Sequence, residues 1–138
     1  MNSIEAAGLG SNLVNLGYQS HEVAVREQRN ASVLILPLRK EPEYEAVLPG
    51  KLFEYLASRR PILGIGQTDG AMAQVVRSTG SGIVYNWDDE EKIRQWIDFS
   101  WDEFKNNELL DNASDISMYS RRRLTKRLAA LLEEITKR

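Results

Sequence analysis

Pro49-Gly50-Lys51-Leu52-Phe53-Glu54-Tyr55-Leu56-Ala57-Ser58-Arg59-Arg60-Pro61-Ile62-Leu63 is the stretch whose reading decides the fold. It predicts a loop, a short helix, a tight connection and a buried strand. Pro49 and Gly50 break whatever precedes them. Leu52, Phe53, Leu56 and Ala57 recur at helical spacing and form an apolar face. Lys51, Glu54 and Ser58 fall on a second face. Pro61 ends the helix, because a residue before proline is pushed out of the α region. Ile62-Leu63-Gly64-Ile65-Gly66 shows no polar alternation, so the strand it predicts is covered on both sides.

Working outward, Ser32-Val33-Leu34-Ile35-Leu36-Pro37-Leu38 predicts another strand ahead of this helix. Strand, loop, helix and strand make one βαβ unit, which implies parallel strands and a right-handed crossover. The loop after the first strand and the helix start at Gly50 and Lys51 then lie at the carboxyl end of the sheet. Open α/β sheets bind ligands there. A helix amino terminus offers free N–H groups and partial positive charge, which suits phosphate. Lys51 adds a full charge, and Glu54 offers two acceptor oxygens suited to a pair of sugar hydroxyls.

On these residues, from Pro49 to Ala57 and again over Arg60-Pro61-Ile62-Leu63, the chain resembles the C-terminal donor-binding domain of GT-B glycosyltransferases of the retaining, bacterial "group 1" type. The pattern runs over roughly Leu13 to Leu132. The resemblance implies a Rossmann-like, three-layer α/β domain with a mainly parallel sheet, and transfer of a sugar from a nucleotide-diphosphate donor. It places Glu54 on the ribose hydroxyls, and Leu48, Pro49, Gly50 and Lys51 on the diphosphate and sugar. Lys51 becomes the candidate for stabilising leaving-group charge. Tyr18 and Gln19 would lie near the base. No metal or cofactor beyond the donor is implied. One departure stands out: where many members carry a first glutamate facing the sugar, this chain has Ala46, with Glu43 and Glu45 out of step.

The remaining elements follow in order. Met1 to Gly10 reads as a helix end stopped by Gly8 and Gly10, and Leu13 to Tyr18 as a short strand. Ser20 is a candidate cap, with Glu22 in the first turn, for a helix to about Asn30. Thr68 or Asp69 is expected to cap a helix through Ala71, Met72, Val75 and Val76 that stops near Gly80. Gly82 to Trp87 predicts a strand, and Asp88 and Asp89 open a helix with apolar positions Ile93, Trp96, Ile97, Trp101 and Phe104. Lys105 to Ser117 reads as a loop or broken helix. Leu124, Leu128, Leu131, Leu132 and Ile135 line one face of a final helix. Against the resemblance, two strands are missing between Leu13–Tyr18 and Val33–Leu38 in the usual order, as is the whole acceptor-binding domain. Residues 1–138 are therefore expected to form a partial domain with an exposed or rearranged edge, inactive alone.

Composition narrows the classes. The chain has 138 residues with 42% hydrophobic content, enough for one domain with a core. A net charge of -2 gives no global attraction to nucleic acid. Without cysteine, disulfides, thiolate catalysis and cysteine-ligated metals are excluded, and a single His argues against a histidine metal site. No apolar run approaches the ~20 residues of a membrane span, and no signal peptide is visible, so the expectation is cytoplasmic. Contact with the periphery of the inner membrane belongs to the full-length protein that the resemblance implies.

Each candidate also has a plainer reading. Lys51 and Glu54 could be an exposed i, i+3 ion pair. Pro49-Gly50 could be an ordinary helix lead-in, Tyr18 a surface aromatic and His21 a surface or capping residue. Arg121, Arg122, Arg123, Lys126 and Arg127 could be a solvated face, or a docking surface for anionic lipid or the acceptor domain. Trp87, Trp96 and Trp101 read as packing residues.

Overall fold

The computed structural model describes residues 6–106 and 115–137. Its centre is a sheet of three short parallel strands, β1 (Leu34–Pro37), β2 (Ile62–Ile65) and β3 (Gly82–Tyr85), in the order β1-β2-β3. Leu34 stands opposite Ile62, and Ile62 opposite Gly82. Helices α2 (Gly50–Ser58) and α3 (Ala71–Thr79) make the two crossovers. Both pack on one face, because right-handed crossovers advancing in one direction leave their helices on one side. There Leu36, Leu52, Leu56, Ile62, Met72, Val75 and Val76 form the core. Leu52 and Ile62 are fully excluded from water, which stabilises the fold by about 2 kcal/mol for each such side chain. Helix α4 (Glu90–Lys105) lies over the opposite face, with Trp96, Ser100, Trp101 and Phe104 around Ile35 and Leu63. The result is an open three-layer α/β arrangement compatible with a Rossmann-like fold.

Local chemistry accounts for most element ends. Ser20 caps α1 (His21–Asn30) by accepting from the Val23 N–H at 3.4 Å. Gly80 closes α3 in the left-handed conformation, at φ 60° and ψ 20°, as expected for a glycine just past a helix. Arg59 does the same for α2 at φ 59°, without a glycine's freedom. Helix α2 therefore stops two residues before Pro61, and the stop is made by Arg59.

The cap expected from Thr68 or Asp69 is not made. Gly70 holds that position without a side-chain bond, and the Ala71 N–H donates instead to the Glu45 carbonyl at 2.8 Å. A distant loop supplies what the local sequence was expected to supply. Strand β3 ends at Tyr85 rather than Trp87, because Asn86 and Asp89 form a turn, with the Asn86 N–H donating to Asp89 Oδ2 at 3.1 Å. Trp87 donates its indole N–H to the Leu38 carbonyl at 2.9 Å, pinning the loops after β3 and β1 together.

Leu13 to Tyr18 is not a strand. Leu13, Val14, Leu16 and Tyr18 are exposed and, among the described residues, pair with no strand. Strand identity requires a neighbour to complete the backbone hydrogen bonds, and β1 is left as the sheet's outer edge, with Ile35 55% exposed. Leu13 to Tyr18 thus contributes no edge to the sheet, while an exposed edge is present at β1. Pro37 fits it. Leu34 and Leu38 turn their N–H groups toward β2, so Val33, Ile35 and Pro37 face outward, where proline's missing donor costs nothing. Packing also departs from expectation in α4, where Trp96 is half-buried but Trp101 stacks on Phe104 at 5.5 Å and stays exposed.

The chain closes with α5 (Arg121–Thr136), all of whose residues are exposed. Ser120 caps it by accepting from the Arg123 N–H at 3.3 Å. The turn before it, Ser117–Tyr119, roots it in the body: Tyr119 lies 6.0 Å from the Phe53 ring, and its hydroxyl is 3.1 Å from Ser78 Oγ. The expected helix end before Gly10 and the expected loop after Lys105 fall in part on residues 1–5 and 107–114, outside the described residues.

Candidate functional site

The carboxyl end of the sheet is bridged by the loop from Leu38 to Pro49. Leu38 extends the ladder by donating to Ile65 at 2.8 Å, and Lys40 holds both carboxylate oxygens of Asp88 at 2.8 Å. A 3-10 turn at Pro42–Tyr44 follows, with the Arg39 guanidinium 5.9 Å from the Tyr44 ring centre. Glu45, through its backbone, meets the start of α3. Only glycine permits that approach, since a Cβ on Gly70 would lie 2.9 Å from the Glu45 oxygen. Glu43, Glu45 and Ala46 line a shallow hollow beside Asp69 and Gly70.

Helix α2 begins where the loop ends. Pro49 takes the cap position with an extended backbone and no side-chain cap bond. Gly50 and Lys51 present N–H groups that the helix itself cannot satisfy. A Cβ on Gly50 would meet nothing within 4 Å, so the space over this terminus is open. Lys51 and Leu48 are exposed.

Glu54 sits one turn further on and is half-buried. No salt bridge joins it to Lys51 among the described residues. Instead its Oε2 accepts from the Gln28 side-chain amide of α1 at 3.1 Å. The other end of that amide, Gln28 Oε1, is buried without a partner. Beside them lies a cavity of about 290 Å³ lined by His21, Val25 and Arg29 from α1 and Phe53, Glu54, Ala57 and Ser58 from α2. That volume is close to the lower limit of ligand clefts, about 300 Å³. Tyr55, on the next position, has its phenol pushed above its ordinary value of 10.0, first by burial and then by the neighbouring Glu54 charge.

The apolar face expected for α2 therefore divides. Leu52 and Leu56 enter the core, Phe53 packs against it while also lining the cavity, and Ala57 turns to the cavity. Helix α1 supplies the wall that sequence reasoning missed; His21 lines it while remaining exposed, as expected. Its signal was present: His21, Val25 and Arg29 recur every four residues, one stripe of a helix. Tyr18 and Gln19 are not brought to the cavity wall. Tyr18 is fully exposed, and the Gln19 amide turns back to donate to the Leu16 carbonyl. Among the described residues no group of three or more His, Asp or Glu side chains could hold a metal ion, and no helix is long and apolar enough to cross a membrane.

Fold and site together define an open parallel α/β domain with a helix amino terminus and a half-buried carboxylate near its carboxyl rim. Set against protein-family models, curated proteins and solved structures, the chain matches none of them.

Proposed function

We propose that the chain is the donor-binding part of a glycosyltransferase that takes its sugar from a nucleotide diphosphate. The observation that carries this reading is Glu54: a carboxylate free of Lys51, held by Gln28 at the wall of a cavity, one turn inside a helix that starts at the sheet's carboxyl end. Two acceptor oxygens so placed suit the vicinal hydroxyls of a ribose. The open terminus at Gly50, with the cation of Lys51, suits the diphosphate leaving group, whose charge grows as the glycosidic bond to it breaks. Residues that activate the acceptor would come from a separate domain or chain. The unpaired edge of β1 favours one variant of this reading, a non-catalytic donor-site subunit completed by a partner.

Calorimetric titration with UDP, GDP and ADP tests it. One of the three is expected to bind, and Glu54→Ala to weaken that binding about 10-fold or more, the value of a hydrogen bond to a charged group. Lys51→Ala should weaken the diphosphate while leaving the parent nucleoside unaffected. Failure of all three nucleotides to bind at millimolar concentration, or binding indifferent to Glu54→Ala in a folded variant, overturns the assignment.

A further inference from the structure

We propose that α5 is an in-plane anchor for an anionic lipid bilayer, independent of the donor site. Leu124, Leu128, Leu131, Leu132 and Ile135 lie 41–61% exposed along one stripe of this helix. At 100° per residue the stripe is about 100° wide, with Arg121 falling within it at the first turn and Arg127 about 40° outside it. Arg121, Arg122, Arg123, Lys126 and Arg127 crowd the first two turns, and no acidic residue occurs in α5 before Glu133. None of these five cations forms a salt bridge among the described residues. Residues 121–138 hold seven basic and two acidic side chains, a balance of +5, so a chain of net charge -2 carries -7 on everything else.

That distribution selects the occupant. Water is a poor solvent for five large exposed apolar side chains, so the stripe calls for a cover. A second copy of α5 is disfavoured by charge: side by side in parallel, the cationic halves repel. In antiparallel they meet a half in which Glu133 and Glu134 are cancelled by Lys137 and Arg138. An anionic lipid surface satisfies both features at once. The stripe enters the acyl boundary, the cations meet headgroup phosphates, and the acidic remainder of the chain faces water. Sixteen residues make a rod of about 24 Å, suited to lying in the surface.

The root of α5 tests for independence as well as for binding. Because the helix touches the body through Ser117–Tyr119, substitutions beyond Ser120 should leave the sheet intact. The experiment is flotation of the full chain with vesicles of phosphatidylcholine alone or with one quarter phosphatidylglycerol. Binding is expected only to the anionic vesicles and should fall in high salt. Arg122→Glu with Arg123→Glu and Lys126→Glu should reduce it to the neutral-vesicle level, since each cation near such a surface is worth about fivefold in partition. Leu128→Asp with Leu131→Asp should abolish it at unchanged melting temperature. Absence of flotation, equal binding to neutral vesicles, indifference to both variants, or a concentration-dependent dimer lost in the leucine variant would each overturn the proposal.

Discussion

Gly82→Ala should be far more damaging than its exposure implies. Gly82 stands opposite Ile62 in the parallel pair β2–β3. A Cβ built there lies 2.0 Å from the Ile62 carbonyl oxygen and 2.7 Å from its carbonyl carbon and its nitrogen. These are backbone atoms and cannot rotate aside. To reach an ordinary contact of 3.4 Å, the strand must retreat by about 1.4 Å. The Ile62 N–H bond to Ser81, now 2.9 Å, would then stretch past hydrogen-bonding range along with its ladder neighbours. Two or three such bonds at about 1 kcal/mol each, with about 1 kcal/mol of backbone strain, come to about 3–4 kcal/mol. Against a total stability of about 5–15 kcal/mol, that is a large fraction. Gly64→Ala is the control. It is buried, but its Cβ would meet only the ends of Val84 at 2.8 Å and Met72 at 3.1 Å, and side chains can repack for about 1–2 kcal/mol. Urea unfolding followed by circular dichroism should therefore rank exposed Gly82→Ala below buried Gly64→Ala. The opposite ranking, which burial alone would give, refutes the steric account.

Two further outcomes follow from the helix ends. Arg59→Gly relieves a left-handed residue that has a Cβ, and should raise stability by about 0.5–1 kcal/mol in thermal melts; a fall would show that Arg59 is held there by something other than the turn. The Asp89 carboxyl is held below its ordinary 3.8, first by the Lys92 hydrogen bond and then by the Asn86 N–H. A lowered folded value means stability present above the unfolded value and lost as pH falls through the folded one. Asp89→Asn should thus lower the melting temperature at pH 7 and make progressively less difference below about pH 4; a constant difference across that range removes the carboxylate from the account.

Helix ends and buried strands were legible because they depend on near neighbours. Ser20 and Gly80 act within one turn of their own helices, and the unbroken apolar run at Ile62 marks a strand covered on both faces. Leu13–Tyr18 reads as a strand, but pairing is decided by what lies alongside, and among the described residues no strand pairs with it. The α3 start was misread for the same reason, since its partner is Glu45, far back in the chain. For the site, Gly50, Lys51 and Glu54 could be read from one helix and one topology rule. The Gln28 bond and the cavity wall could not, because they require α1 to lie against α2. That contact joins residues twenty-six positions apart.

The proline in β1 sets a limit on recruitment. Moving along the strand's free flank, a newcomer finds an amide at Val33 and another at Ile35, and then none at Pro37. Any guest strand zipped onto that flank finds two donors, at Val33 and Ile35, and past them only the Pro37 carbonyl as an acceptor. The flank is a short latch rather than a track, able to seat one complementing segment while discouraging the unlimited edge-to-edge stacking that a continuous row of donors would invite.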